Sequence, residues 1–132
     1  MLDIVYVRLG DDKMGYRKLQ IYVRAYKAAL AIYKMTVNFP KEEVYALTSQ
    51  MQRASTSIPL NIAEGYAKRE SQAEFKRFLL MAIGSANEMN VLLDFSKDLG
   101  YISESQYKKA SNEYEELGKM LNKFIQSVKQ QS

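Results

Sequence analysis

Apolar residues recur at steps of three and four along almost the whole chain, and only two prolines, Pro40 and Pro59, interrupt them. That period belongs to amphipathic helices, so little of the sequence is left for strands. In the first helix, about 16–39, the stripe Leu19, Tyr22, Tyr26, Leu30, Tyr33 and Val37 is the expected core seam, and Pro40 ends it. The second, about 41–66, places Glu42 and Glu43 at the positive end of its dipole and aligns Val44, Leu47, Met51, Ala54, Ile58 and Ile62, with Gly65 at its frayed end. The third, about 71–99, opens on the capping box Ser71-Gln72-Ala73-Glu74, in which the serine accepts from the Glu74 backbone and that carboxylate reaches back. Its seam is Phe75, Leu79, Ala82, Ala86, Met89 and Leu93, and Gly100 stops it. The fourth, about 103–129, follows the capping box Ser103-Glu104-Ser105-Gln106 and carries Tyr107, Ala110, Tyr114, Leu117, Leu121, Phe124 and Val128. Short connections predict an all-α fold, an antiparallel up-down-up-down four-helix bundle.

Pro59 falls inside the second helix, where a proline ordinarily costs about 3 kcal/mol. It also leaves the Ser55 carbonyl without its usual donor, and the helical wheel turns Asn61 toward the side of Ile58 and Ile62. Ser57, Pro59 and Asn61 are therefore read as a local polar network that fixes a bend, with Gly65 completing the structural motif.

A chain of 132 residues suits one domain, which buries about two-thirds of its unfolded surface. It holds neither cysteine nor histidine. That removes disulfides, the usual zinc sites, Ser-His and Cys-His nucleophiles and the Glu-x-x-His pairs of di-iron bundles. Glu64, Glu74 and Glu88 could be assembled into an acid-base pair, but Glu74 is explained by capping and the others fall beside the seams, so no catalytic residue, metal or cofactor is expected. Asp3, Asp11 and Asp12 flank a short apolar run that does not read as a signal peptide, and no apolar run is judged long enough to span a membrane. A cytoplasmic protein with no membrane partner is expected.

The third helix has more apolar surface than one core needs. Leu80, Ile83, Gly84 and Val91 form a second stripe away from the core seam, which asks for a partner chain, with Gly84 permitting close approach. Charge is also uneven. From Lys13 to Lys41 there are seven basic residues and no acidic one, whereas residues 70–98 hold three basic and five acidic side chains. Arg17, Arg24, Lys27 and Lys34 share one sector of the first helix, and Lys68, Arg69, Lys76 and Arg77 cluster around the turn between the second and third. Such cations could contact phosphate. Alternatively, they solvate a helix face or pair with acidic neighbours. The tyrosines of the first and fourth helices are assigned to packing in preference to base stacking, because they sit on the expected seams.

The segment Arg53-Ala54-Ser55-Thr56-Ser57-Ile58-Pro59-Leu60-Asn61-Ile62-Ala63-Glu64-Gly65-Tyr66 is followed by Glu74-Phe75-Lys76-Arg77-Phe78-Leu79 and Ile83-Gly84-Ser85-Ala86-Asn87-Glu88. Together with Phe39-Pro40-Lys41-Glu42-Glu43, these stretches closely resemble the bacterial 23S ribosomal RNA intervening-sequence proteins, also called four helix bundle proteins. The resemblance runs from about Met14 to the last helix. It implies a ring-like homopentamer, a relation to insertions in ribosomal RNA genes, and no catalytic residues. It also implies that residues 1–13 are an N-terminal extension, disordered or following a misplaced start. A structurally similar group, the accessory variability determinant proteins of retroelements, binds nucleic acid and a reverse transcriptase, so a reverse-transcriptase partner follows only by distant analogy. The expected function is a non-enzymatic, oligomeric nucleic-acid-binding protein, with RNA as the nucleic acid and basic surface contacts to phosphate. The alternative is a protein-interaction scaffold.

Overall fold

The computed structural model describes residues 14–129, so the expectation for residues 1–13 lies outside the described residues. Four helices, α1 (Gln20–Thr36), α2 (Leu47–Ala67), α3 (Gln72–Asp98) and α4 (Glu104–Lys129), share one core, and there is no strand among the described residues. Each of the pairs α1–α2, α2–α3, α3–α4 and α4–α1 is in contact, with α4–α1 the loosest. The arrangement is all-α and consistent with a four-helix bundle.

The first two helices start later than the periodicity suggests. Gly15–Lys18 forms a separate 3-10 turn, and Leu19, with extended backbone and only 1% exposed, separates it from α1. Before α2, Lys41–Glu43 makes another such turn, and the Glu43 carboxylate accepts from the Leu47 amide at 3.2 Å. Val44, placed on the seam by its spacing, is thereby left half-exposed. The cap of α3 is one-sided: Ser71 Oγ accepts from the Glu74 amide at 3.2 Å, but the Glu74 carboxylate turns to Arg77 instead of reaching back. At α4 the capping box closes both ways, with Gln106 Oε1 accepting from the Ser103 amide and Ser103 Oγ from the Gln106 amide. Gly100, at φ +80°, supplies the left-handed residue that ends α3 and lets the Tyr101 amide reach the Ser96 carbonyl. Tyr101 then packs on Phe39 and donates to Glu43 Oε2 at 2.7 Å, which joins the two connections at this end.

The core contains Leu47, Met51, Ala54, Ile58 and Ile62 of α2, the whole expected seam of α3, and Tyr114, Leu117, Leu121, Phe124 and Val128 of α4. Tyr107 and Ala110 sit half-buried at its edge. The seam of α1 is different. Ile21, Ala25, Ala28, Ala29 and Ile32 face inward, while Tyr26, Leu30, Tyr33 and Val37 are 43–79% exposed. The alanine face lets α1 lie close to α2, whereas a tyrosine face would hold it further away. Tyr22 is half-buried and stacks on Tyr26 at 5.9 Å.

Helix α2 passes through Pro59 without a break. Asn61 is half-buried, and its amide donates to the Ser57 carbonyl at 2.8 Å and to Ser57 Oγ at 3.0 Å, so its acceptor is not the Ser55 carbonyl. The expected network thus lies one half-turn further along and extends across the seam, since Ser57 Oγ meets Ser85 Oγ of α3 at 2.7 Å. Gly65 is buried inside the helix and marks no frayed end. A Cβ there would stand 3.0 Å from Phe78 Cβ and 3.2 Å from Phe75 Cδ1, so glycine sets the spacing between α2 and α3.

Helix α3 also corrects the reading that no segment is long and apolar enough to span a membrane. Its 27 residues include a window of mean hydropathy 1.2, a third of it buried in the fold. The cause is its two apolar faces, because the core seam and the outer stripe count together in a linear window.

Candidate nucleic-acid interface

The basic residues singled out by sequence fall into two groups with different electrostatic surroundings. On α1, Arg24 is drawn into the fold: its guanidinium makes a bidentate pair with Glu113 of α4, at 2.9 and 3.0 Å, and also approaches Met120 Sδ at 3.4 Å. That hydrogen-bonded carboxylate raises the Arg24 pKa, against a smaller opposing effect of burial. Lys27 and Lys34 are exposed and have no carboxylate partner among the described residues. Arg17, in the turn before α1, lies over the Tyr16 ring at 4.7 Å.

Around the α2–α3 turn the cations are engaged locally. Lys68 lies 3.4 Å from Glu64 and 5.9 Å from the centre of the Phe78 ring. Arg69 stacks on Tyr66 at 4.0 Å and donates from Nη1 to the Tyr66 carbonyl at 2.8 Å. Arg77 forks onto Glu74 and covers Phe78 at 4.4 Å. The Arg77 guanidinium holds the Glu74 carboxyl below the usual carboxylate range, and Glu74 in turn raises Arg77. Lys76 is half-buried in the first turns of α3. The eight cations therefore differ in how far their charge is already met by local partners. Chemically, the α1 group offers open ammonium groups for phosphate, whereas the turn group already spends much of its charge on internal pairs.

Two apolar surfaces accompany these charges. On α3, Leu80 and Val91 are 49% and 54% exposed, and among the described residues nothing lies within 4 Å of a Cβ built on Gly84. Ile83 falls off this stripe, half-buried against the core, and Phe95, 55% exposed, takes its place one helical turn beyond Val91. The second surface is a groove between α1 and α2 lined by Tyr16, Tyr26, Leu30, Tyr33, Pro59 and Leu60. It is the tyrosine stripe of α1, turned outward. Sequence reasoning missed this groove because it weighted tyrosine and leucine above alanine; the competing run Ala25, Ala28, Ala29 and Ile32 was its only signal. Glu113 carried no signal, since its pairing with Arg24 spans 89 residues.

A family model described as 23S rRNA-intervening sequence protein matches residues 17–123. Among solved structures, a protein of unknown function from the S23 ribosomal protein family of Bacteroides thetaiotaomicron VPI-5482 is similar, with 30% sequence identity and a TM-score of 0.71. The similarity covers 80% of this chain and 97% of that one. No curated protein matches the chain in sequence.

Proposed function

Since the chain belongs to the 23S rRNA-intervening sequence protein family, we propose that it is a non-enzymatic, homo-oligomeric protein that binds nucleic acid, RNA first, through phosphate contacts. The observation that carries this reading is the α1 surface: no acidic residue occurs between Lys13 and Lys41, and Lys27 and Lys34 stand exposed without carboxylate partners among the described residues. Arg17 extends the same charge toward the chain's N-terminal side. The cluster from Lys68 to Arg77 is a weaker contributor, because Glu64 and Glu74 neutralise part of it.

Assembly completes the proposal. The helices run up-down-up-down, for which the short connections speak, as do the bonds from Gln72, opening α3, to the Val128 carbonyl near the end of α4 and from Tyr107 to Asp94. Two unlike apolar faces, the α3 stripe and the α1–α2 groove, suit a heterologous contact that closes into a ring, and the proposed ring is a homopentamer. A ring repeats the α1 cations around its circumference, so weak phosphate contacts gain by multivalency.

The test is RNA affinity measured against salt. Phosphate contacts predict a linear fall of log K with log salt, and Lys27→Ala with Lys34→Ala should reduce the slope by roughly two. Absence of RNA binding at low salt would refute the proposal. That outcome would favour the protein-interaction scaffold, which the internal pairing of Arg24 and Arg77 supports. Sedimentation of the purified chain tests the assembly, and a monomer would remove the ring.

A further inference from the structure

Helices α2 and α3 leave between them an open cleft of about 290 Å³, lined by Gln50, Arg53, Ala54, Ser57, Ser85 and Glu88. Both of its walls carry polar side chains, and its size is close to that of the smallest ligand pockets, roughly 300 Å³. Arg53 and Ser57 belong to the segment 53–66 and Ser85 and Glu88 to the segment 83–88, neither of which the α1 phosphate surface uses.

Ser57 Oγ lies 2.7 Å from Ser85 Oγ and accepts from the Asn61 amide at 3.0 Å. One hydroxyl hydrogen closes the contact between the two serines. The other has no acceptor among the described residues, so the pair keeps one O–H donor at the wall of the cleft. Arg53 stands one turn before Ser57 and Glu88 one turn after Ser85, and both are exposed. Among the described residues neither has an oppositely charged partner, and they do not pair with each other, although Arg24, Lys68, Arg77 and Lys97 each meet a carboxylate. A guanidinium on one wall and a carboxylate on the other suit neither a bare phosphate, which Glu88 repels, nor a simple cation, which Arg53 repels. They suit a flat neutral group with acceptors on one edge and donors on the next.

We infer that the α2–α3 cleft reads an unstacked guanine of single-stranded RNA, with Arg53 donating to O6 and N7 and Glu88 accepting from N1–H and the 2-amino group. Among the four bases, guanine alone offers two adjacent acceptors to a guanidinium fork and two adjacent donors to a carboxylate. Uracil sets a carbonyl on each side of its single N3–H. Adenine and cytosine place a ring-nitrogen acceptor beside their one amino group, which Glu88 would oppose. The remaining serine O–H donates to a further acceptor of the bound nucleotide. Single strands are where such reading operates, because their bases can be splayed out and bonded along both edges. The inference rests on the RNA reading above and adds to it a base identity, which phosphate contacts do not carry.

The probes are three uridine nonamers, one with a central guanosine, one with a central inosine and one unmodified, titrated into the full chain by fluorescence anisotropy at several salt concentrations. The guanosine nonamer should bind about tenfold tighter than either of the others, inosine lacking the 2-amino donor to Glu88. That ratio should hold as salt lowers all three affinities together. Glu88→Gln should bring the guanosine-to-inosine ratio to about one, and Arg53→Gln should remove the preference over uridine. Both side chains are exposed, so the circular dichroism of the variants should not change. Equal affinity for the three nonamers would overturn the inference and leave the phosphate contacts standing. A guanosine preference without salt dependence would uphold the cleft and overturn the phosphate contacts, and absence of binding to any nonamer would overturn both. A guanosine preference that survives Glu88→Gln, or a uniform loss across the three nonamers in Arg53→Gln, would also overturn the inference.

Discussion

Helices α1 and α3 each carry two apolar stripes, yet they resolve the choice between them in opposite ways. In α3 the stripe of larger side chains, Phe75, Leu79, Met89 and Leu93, is buried, and the stripe around Gly84 is left outside. In α1 the larger side chains are left outside and the alanines go in. Hydrophobic transfer favours burying area, but close packing limits how much volume a given helix–helix spacing accepts. With the bulky seams of α2, α3 and α4 already filling the centre, α1 contributes small residues and approaches α2 closely. The aromatic surface it leaves exposed is then available to a neighbouring chain.

The largest expected effect separates Leu79 from Leu80. Leu79→Ala should cost about 2–5 kcal/mol of stability in a urea titration, because the residue is fully buried. Leu80→Ala should stay within about 0.5 kcal/mol in the dilute chain while weakening self-association in sedimentation. Equal losses would mean that the outer stripe belongs to the folding core.

The same contrast on α1 is next in size. Ala25→Leu, at a position with no exposed surface, should destabilise by about 1–3 kcal/mol through overpacking, whereas Tyr26→Ser, half-exposed, should leave the denaturation midpoint nearly unchanged. A stable Ala25→Leu variant would break the argument that spacing selects the alanine face. The two glycines give opposite signs at about 1 kcal/mol. Gly84→Ala, facing open space, should raise Tm through helix propensity, and Gly65→Ala should lower it, because the obstructing Phe78 Cβ is fixed to the α3 backbone. The smallest effect belongs to the charge pair across the loose seam. Arg24→Gln should cost no more than about 1 kcal/mol, and less in high salt, since both partners are about one-third exposed.

Much of α2, α3 and α4 was legible in advance, because the run from Leu47 through Ile62, the seam from Phe75 to Leu93 and the row from Tyr114 to Val128 each offer one stripe that clearly outweighs the rest. The Ser71 and Ser103 caps and the Gly100 stop were legible for a related reason: their partners lie within a few residues. The candidate site was less so. Its cations could be located, but whether a guanidinium is open to phosphate depends on what lies opposite. Arg24 lost its openness to Glu113 and Arg77 to Glu74, the first across the fold and the second by displacing the expected cap contact.

What the sequence alone determined is therefore the local part of the protein: four amphipathic helices, most of their ends, the excess of apolar surface on α3 and the family to which the chain belongs. Periodicity, capping and turn conformation act over four residues or fewer, and the chain states them directly. The tertiary structure alone decided which stripe of α1 faces inward, why Gly65 is a glycine and, among the described residues, which cations have no carboxylate partner and that the buried Tyr114 hydroxyl has no hydrogen-bond partner. Each of those depends on the distance between helices that are remote in sequence, and that distance is set by the volumes of all the side chains between them.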